Sequence, residues 1–215
     1  MGVKVWSKVA IAVQSALATA VTISGITKAN PGVVSWASGT DPANGDYVLM
    51  KVQGMTQLDY RVCRVANLNG AGNTFELEGV DTTSFDTFSS GTFEVITFGT
   101  TLSIVSDMSA SGGDPEFIDT TTIHDDVNKQ VPGNFSAIVY NMTANWDPAD
   151  AGLIALKAAS DLKAVRCVRI TFSDNTRVVF AGYVAASGVP TGSAKGKVAT
   201  PIAITAYGRP SMFAT

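Results

Sequence analysis

The chain has 215 residues and a formal net charge of −3, and only 15% of its residues are charged. That length suits one large or two small domains with a sizeable core, and plentiful Gly, Ala, Ser and Thr suit an all-β protein rich in turns. The mild acidic balance, not gathered into a tail, argues against attraction to nucleic acid. No run approaches the roughly 20 apolar residues of a membrane helix.

Lys4, Lys8, the apolar run 9–13 and Ala16-Leu17-Ala18 imitate a signal peptide with a small-residue cleavage site. Gln14 and Ser15 interrupt that run, however. Val5, Val9, Ile11 and Val13 alternate with Trp6, Lys8, Ala10 and Gln14, the period of a half-buried strand. The strand is the better reading.

Residues 21–98 form a block of short β segments, with strands expected over 21–23, 33–36, 47–52, 60–65, 73–77 and 92–96. Asn30-Pro31-Gly32, Asp41-Pro-Ala-Asn-Gly45, Gln53-Gly54, Asn69-Gly70 and Ser89-Ser-Gly91 separate them and supply the φ values that turns need. Strands so short and so regularly spaced predict a small barrel or sandwich.

In the second half a strand is expected over 102–105, then a polar segment over 107–132. That segment holds Asp107, Asp114, Glu116, Asp119, Asp125 and Asp126, with Lys129 its only lysine or arginine, and includes Gly112-Gly113 and Pro115. It reads as too polar to fold alone and too long for a passive connector. A long strand is expected over 135–146. Asp147-Pro148 then supplies an N-cap and a first-turn proline for a helix over about 148–162, with Leu153, Leu156, Ala159 and, as a further candidate, Ile154 facing the core. A hairpin over 162–172 and 177–184, turning at Ser173-Asp174-Asn175, and a last strand over 195–206 complete the chain.

Residues equipped for chemistry are few. Cys63 and Cys167 lie on separate expected strands; a disulfide is formally open to them, but two buried thiols are the better reading. His124, the single histidine, sits beside Asp125 and Asp126 in a polar segment, where such a pair is usually solvated. Gly192-Ser-Ala-Lys-Gly-Lys197 imitates a phosphate loop but is one residue short, and Val198 stands where Ser or Thr would bind magnesium. There is no Gly-x-Ser-x-Gly elbow. Residues 67–76 lack the alternating acids of a calcium loop, and two distant cysteines with one histidine cannot make a four-ligand zinc site. No enzymatic activity, metal or cofactor is expected.

Several ordered features resemble the major tail tube protein of long, flexible-tailed (lambda-type, siphovirus) phages. They are Phe117-Ile-Asp-Thr-Thr-Thr122 followed by Val131-Pro132-Gly133, the helix and hairpin over 150–184 with its Phe180-Ala-Gly-Tyr-Val184 strand, and the Gly208-Arg-Pro-Ser-Met212 ending. Together they cover about 102–212. The block 21–96 is similar instead to a small (FCCH-like) β module of ubiquitin-activating enzymes that recurs in phage structural proteins. Ile23-Ser-Gly-Ile-Thr-Lys-Ala-Asn-Pro-Gly32 and Asn73-Thr-Phe-Glu-Leu-Glu-Gly-Val-Asp81 carry that likeness.

The resemblance implies a mainly β fold: a tail-tube sandwich or barrel core of residues 1–20 and 97–215 with one helix, and a small all-β module, 21–96, inserted in it, facing the tube exterior. It implies a structural virion subunit that forms rings, commonly of about six copies. The rings stack into a tube, assembled in the host bacterial cytoplasm, through which DNA is ejected. Strands such as 135–146 and 162–172 would offer their edges to neighbouring copies. Asp107, Asp114, Glu116, Asp119, Asp125, Asp126, Pro132 and Gly133 would lie on a loop reaching the adjacent ring. Partners implied are other copies, a tape-measure protein in the lumen, tail-terminator and tail-tip proteins, and DNA passing without specific binding. The lumen should carry hydroxyls and acids such as Asp174, with Lys163, Arg166, Arg169 and Arg177 turned to other subunits or the exterior. Two rival readings are a tail-terminator or head-tail connector ring, and a carbohydrate- or cell-binding sandwich using Trp36, Tyr47 and Tyr60 as an aromatic platform.

Overall fold

A computed structural model describes residues 8–214. Its strands are β1 (Ala10–Val13), β2 (Ala16–Leu17), β3 (Val21–Ile26), β4 (Val33–Trp36), β5 (Tyr47–Gln53), β6 (Val62–Asn69), β7 (Thr74–Leu77), β8 (Ser90–Thr97), β9 (Thr100–Leu102), β10 (Val105–Ser111), β11 (Pro115–Asp119), β12 (Gln130–Phe135), β13 (Val139–Asn145), β14 (Val165–Thr171), β15 (Arg177–Ala186), β16 (Ala199–Ala206) and β17 (Ser211–Phe213). One α-helix, α1 (Ala151–Asp161), lies between β13 and β14. The fold is mainly β, as expected.

Strands β2–β8 pair only among themselves. The order β8-β3-β4-β7-β6-β5 returns to β8, so six strands close a barrel, and β2 adds to the flank of β8. The six expected segments of this block all appear, β4 with the expected bounds. Phe75 and Phe93, both fully buried, meet edge-to-face at 5.3 Å and pack around Trp36. Trp36 and Tyr47 are therefore core residues, and no aromatic platform exists at these positions.

The remaining long strands form a sheet in the order β10-β13-β16-β15-β14-β1-β9, with β17 on the free stretch of β15. Its inner face holds Ile11, Val13, Met142, Val168, Ile170, Phe180, Ile202 and Ile204, and Leu153, Leu156 and Ala159 of α1 cap that core, whereas Ile154 lies off the buried stripe and is 54% exposed. Ile11 and Val13 point inward as the alternation predicted; residues 1–7 lie outside the described chain. The helix cap differs from expectation. Asp150 is the N-cap, its Oδ1 accepting from Leu153 N–H at 2.9 Å, while Asp147 makes a local turn with Ala149 N–H. Asp150 occupies the last extended position before α1, which is where a carboxylate reaches the free amides of the first turn.

The pairing registers set two ends. Ala144 of β13, Ala199 of β16, Ala186 of β15 and Val165 of β14 mark the end at which α1 sits. Ser111, Val139, Thr205 and Arg177 mark the other.

The two sheets share a third core. Cys167, Val179, Ala181 and Phe213, on the outer face of β14, β15 and β17, pack against Tyr47, Leu49, Val62 and Ile96 of the β2–β8 barrel. Both cysteines are buried and free, as expected. At the crossover Gln14 is buried; its N–H donates to Cys167 O at 2.9 Å and its Oε1 accepts from Cys167 N–H at 3.1 Å.

Candidate assembly surface

Residues 114–135 do not form a single loop. Strands β11 and β12 pair as an antiparallel hairpin, with Phe117 opposite Pro132 and Ile118 opposite Val131, and no third strand joins them among the described residues. We term it the arm. Gly112 and Gly113 start it in the left-handed region, at φ 86° and 87°, where a Cβ on Gly112 would lie 2.1 Å from Ala137 O; this tight reversal requires glycine. Phe117, Ile118, Val131 and Phe135 are exposed, and near the tip Ile123 is 96% and Val127 73% exposed. An isolated two-stranded ribbon is at best marginally stable in water, and this one also leaves apolar side chains on both faces solvated.

The expected acids are distributed unevenly. Asp107 is on β10, Asp114 precedes β11, Glu116 and Asp119 are on β11, Asp125 and Asp126 are at the tip, and Pro132 and Gly133 are on β12. The structure therefore brings seven of these residues onto the arm and puts Asp107 in the main sheet. Asp125 accepts from Thr122 and pairs with Lys129, and these bonds hold its carboxyl below the usual range. Two bonds from Thr121 do the same for Asp119. Asp107, Asp114, Glu116 and Asp126 enter no ion pair among the described residues. His124 is exposed at the tip.

Sequence reasoning picked out the arm's acids and missed its apolar side chains. Phe117-Ile118 and Val131 flanking a polar turn were the available signal. It also placed the free edges wrongly. Segment 135–146 is split between β12 and β13, and β13 is paired on both sides, by β10 and β16; β14 is enclosed by β15 and β1. Among the described residues, the long unpaired edge of the main sheet belongs to β10, and β9, only three residues long, forms the other. Asp107, Ser109 and Ser111 alternate with Met108 and Ala110 along β10, the same period-2 signal that marked the other strands.

One face of this sheet is set apart by its chemistry. The outward positions of β10, β13 and β16 are Asp107, Ser109, Ser111, Val139, Asn141, Thr143, Pro201, Ala203 and Thr205, and these three strands contain no lysine or arginine. The cations expected to face solvent or other subunits lie elsewhere. Arg169 is half-buried at the junction, 4.7 Å over Phe98 and 5.8 Å over Tyr47, and burial lowers its pKa. Arg177 Nη1 donates to Tyr47 Oη at 3.1 Å. The closing motif ties these regions together. A Cβ on Gly208 would meet Tyr60 O at 2.4 Å, and Arg209 lies 5.2 Å over Phe135 at the base of the arm. Tyr60 stacks edge-on against Tyr207 at 4.3 Å.

A β protein with an unpaired edge, a projecting apolar hairpin and a cation-free sheet face belongs to the class that works by contact with further protein chains. The phage tail tube protein family (TTP) matches residues 53–215, about three quarters of the chain, and the chain belongs to that family. It is a structural component of the phage tail. No curated protein sequence matches it significantly.

Proposed function

We propose that the chain is the repeating subunit of a tail tube, forming hexameric rings that stack around a bore through which DNA is ejected. The observation that carries this reading is the arm, which exposes Phe117, Ile118, Ile123, Val127 and Val131 in an otherwise well-packed protein. Such a surface is satisfied by another copy.

In a ring, the free edge of β10 is covered by the next subunit, so that no edge remains open. The face of β10, β13 and β16 then lines the bore. Hydroxyls and the Asp107 carboxylate there repel or ignore phosphates within about 8 Å at physiological salt, and the absence of cations avoids phosphate contacts that would hold DNA. Segment 21–96 is an inserted module covering β14, β15 and β17, several strands around the sheet from β10, and so faces the tube exterior. The arm carries the seven acidic, Pro and Gly positions to the adjacent ring. A tape-measure protein fills the bore during assembly in the host cytoplasm, and terminator and tip proteins close the two ends.

Electron microscopy of the purified full chain, alone and co-expressed with a tape-measure protein, tests this. Long hollow tubes are expected. Isolated rings that never stack would indicate a terminator or connector, and monomers at every concentration would overturn the reading.

A further inference from the structure

The two ends of the main sheet carry complementary surfaces. The arm end presents exposed apolar side chains with Asp114, Glu116 and Asp126 free of ion pairs among the described residues. At the helix end, Trp146, Val189 and Val198 are 38%, 56% and 49% exposed. Trp146 Nε1 donates to Gly188 O at 2.9 Å and its N–H donates to Val198 O at 2.9 Å, while Gly188 borders Lys157 of α1. These residues therefore form one apolar patch. The β15–β16 loop adds Lys195 and Lys197, both exposed and neither paired with a carboxylate among the described residues.

We infer that this helix-end patch is the seat for the arm of a second copy. Ile123 and Val127 of one copy pack against Trp146, Val189 and Val198 of another, and Asp126 at the arm's tip meets Lys195 and Lys197. The inference rests on the tube reading and names the surface that receives the arm. From Asp114 to Thr122 the arm runs nine residues, roughly 30 Å at about 3.3 Å each, the width of a small domain, so it can reach a neighbouring copy. Because donor and seat lie at opposite ends of the molecule, the contact is head-to-tail and repeats without closing, which builds a column of rings. Its ionic part weakens as salt rises.

Charge reversal at exposed positions tests the pairing without touching either core. In the full chain, Lys195→Glu with Lys197→Glu, and separately Asp126→Lys, should each raise the protein concentration needed for tube formation at least tenfold, with the melting temperature unchanged. Combining all three should restore assembly. A second measurement uses Val127→Cys with Val189→Cys: oxidation should give a ladder of covalent multimers, while native Cys63 and Cys167 stay buried and unreactive. Wild-type tubes with unaffected reversals, or a combination that does not recover, overturn the inference and leave the tube reading standing. A wild-type chain that never forms tubes removes the reading on which the inference rests.

Discussion

Gln14 illustrates how single polar residues direct this chain. In the sequence it interrupts an apolar run and separates a strand from a signal-like segment. In the structure it is buried where β1 leaves the main sheet, bonded in both directions to the Cys167 backbone. Its polarity satisfies backbone groups that a strand switching sheets leaves behind. Cys63 and Cys167 make the opposite case. Burial raises their thiol pKa values from 9.0 to about 11 and about 12. Above pH 9 the unfolded chain releases these protons and the folded chain retains them, so the contribution is intact below pH 9 and is lost as pH rises through 11 to 12. Denaturant melts should show stability falling between pH 9 and 11, and Cys63→Ala with Cys167→Ala should flatten that slope. An unchanged slope in the double variant would refute the assignment. The thiols' burial was legible from their positions on apolar strands; their place at two different cores was not, since it depends on how the barrels dock.

At the scale of elements, legibility followed periodicity. The six strands of the closed barrel, β3–β8, the β14–β15 hairpin and the buried face of α1 were all readable from alternation or helical spacing. The N-cap was displaced from Asp147 to Asp150 because both are Asp beside Pro148 or Ala149, and only the backbone decides which carboxylate meets free amides. The arm was read as a loop because its acids outweigh its apolar residues in composition, while its pairing is set by register. Joining Gly113 to Ser136 through a short Gly linker in place of 114–135 should leave the melting temperature nearly unchanged, since the arm packs little of itself into either core, and should abolish tubes. A large loss of stability would show instead that the arm supports the fold.

At the scale of the whole molecule, the β2–β8 barrel is docked rather than tethered. Two chain crossings join it to the core, and apolar residues of both sheets are shared between Leu49, Val62 and Ile96 on one side and Val179, Ala181 and Phe213 on the other. The family match begins at Gln53, inside this barrel. The block's strands were readable from alternation; its docking was not, because β15 beyond Arg177 is apolar on both faces and a buried second face has no signature of what covers it. Excising 16–97 should therefore expose that face, and the trimmed protein should bind a hydrophobic dye and aggregate below the wild-type melting temperature. A soluble, equally stable trimmed chain would contradict the shared core.

The central claim is self-association through β10 and the arm, with the β2–β8 barrel left outside. Amide hydrogen exchange compared between dispersed protein and assembled tubes measures this directly. The account predicts that 105–111 and 114–135 become strongly protected on assembly while 21–96 changes little. Equal exchange over 105–135 in both states, with new protection confined to 21–96, would contradict it.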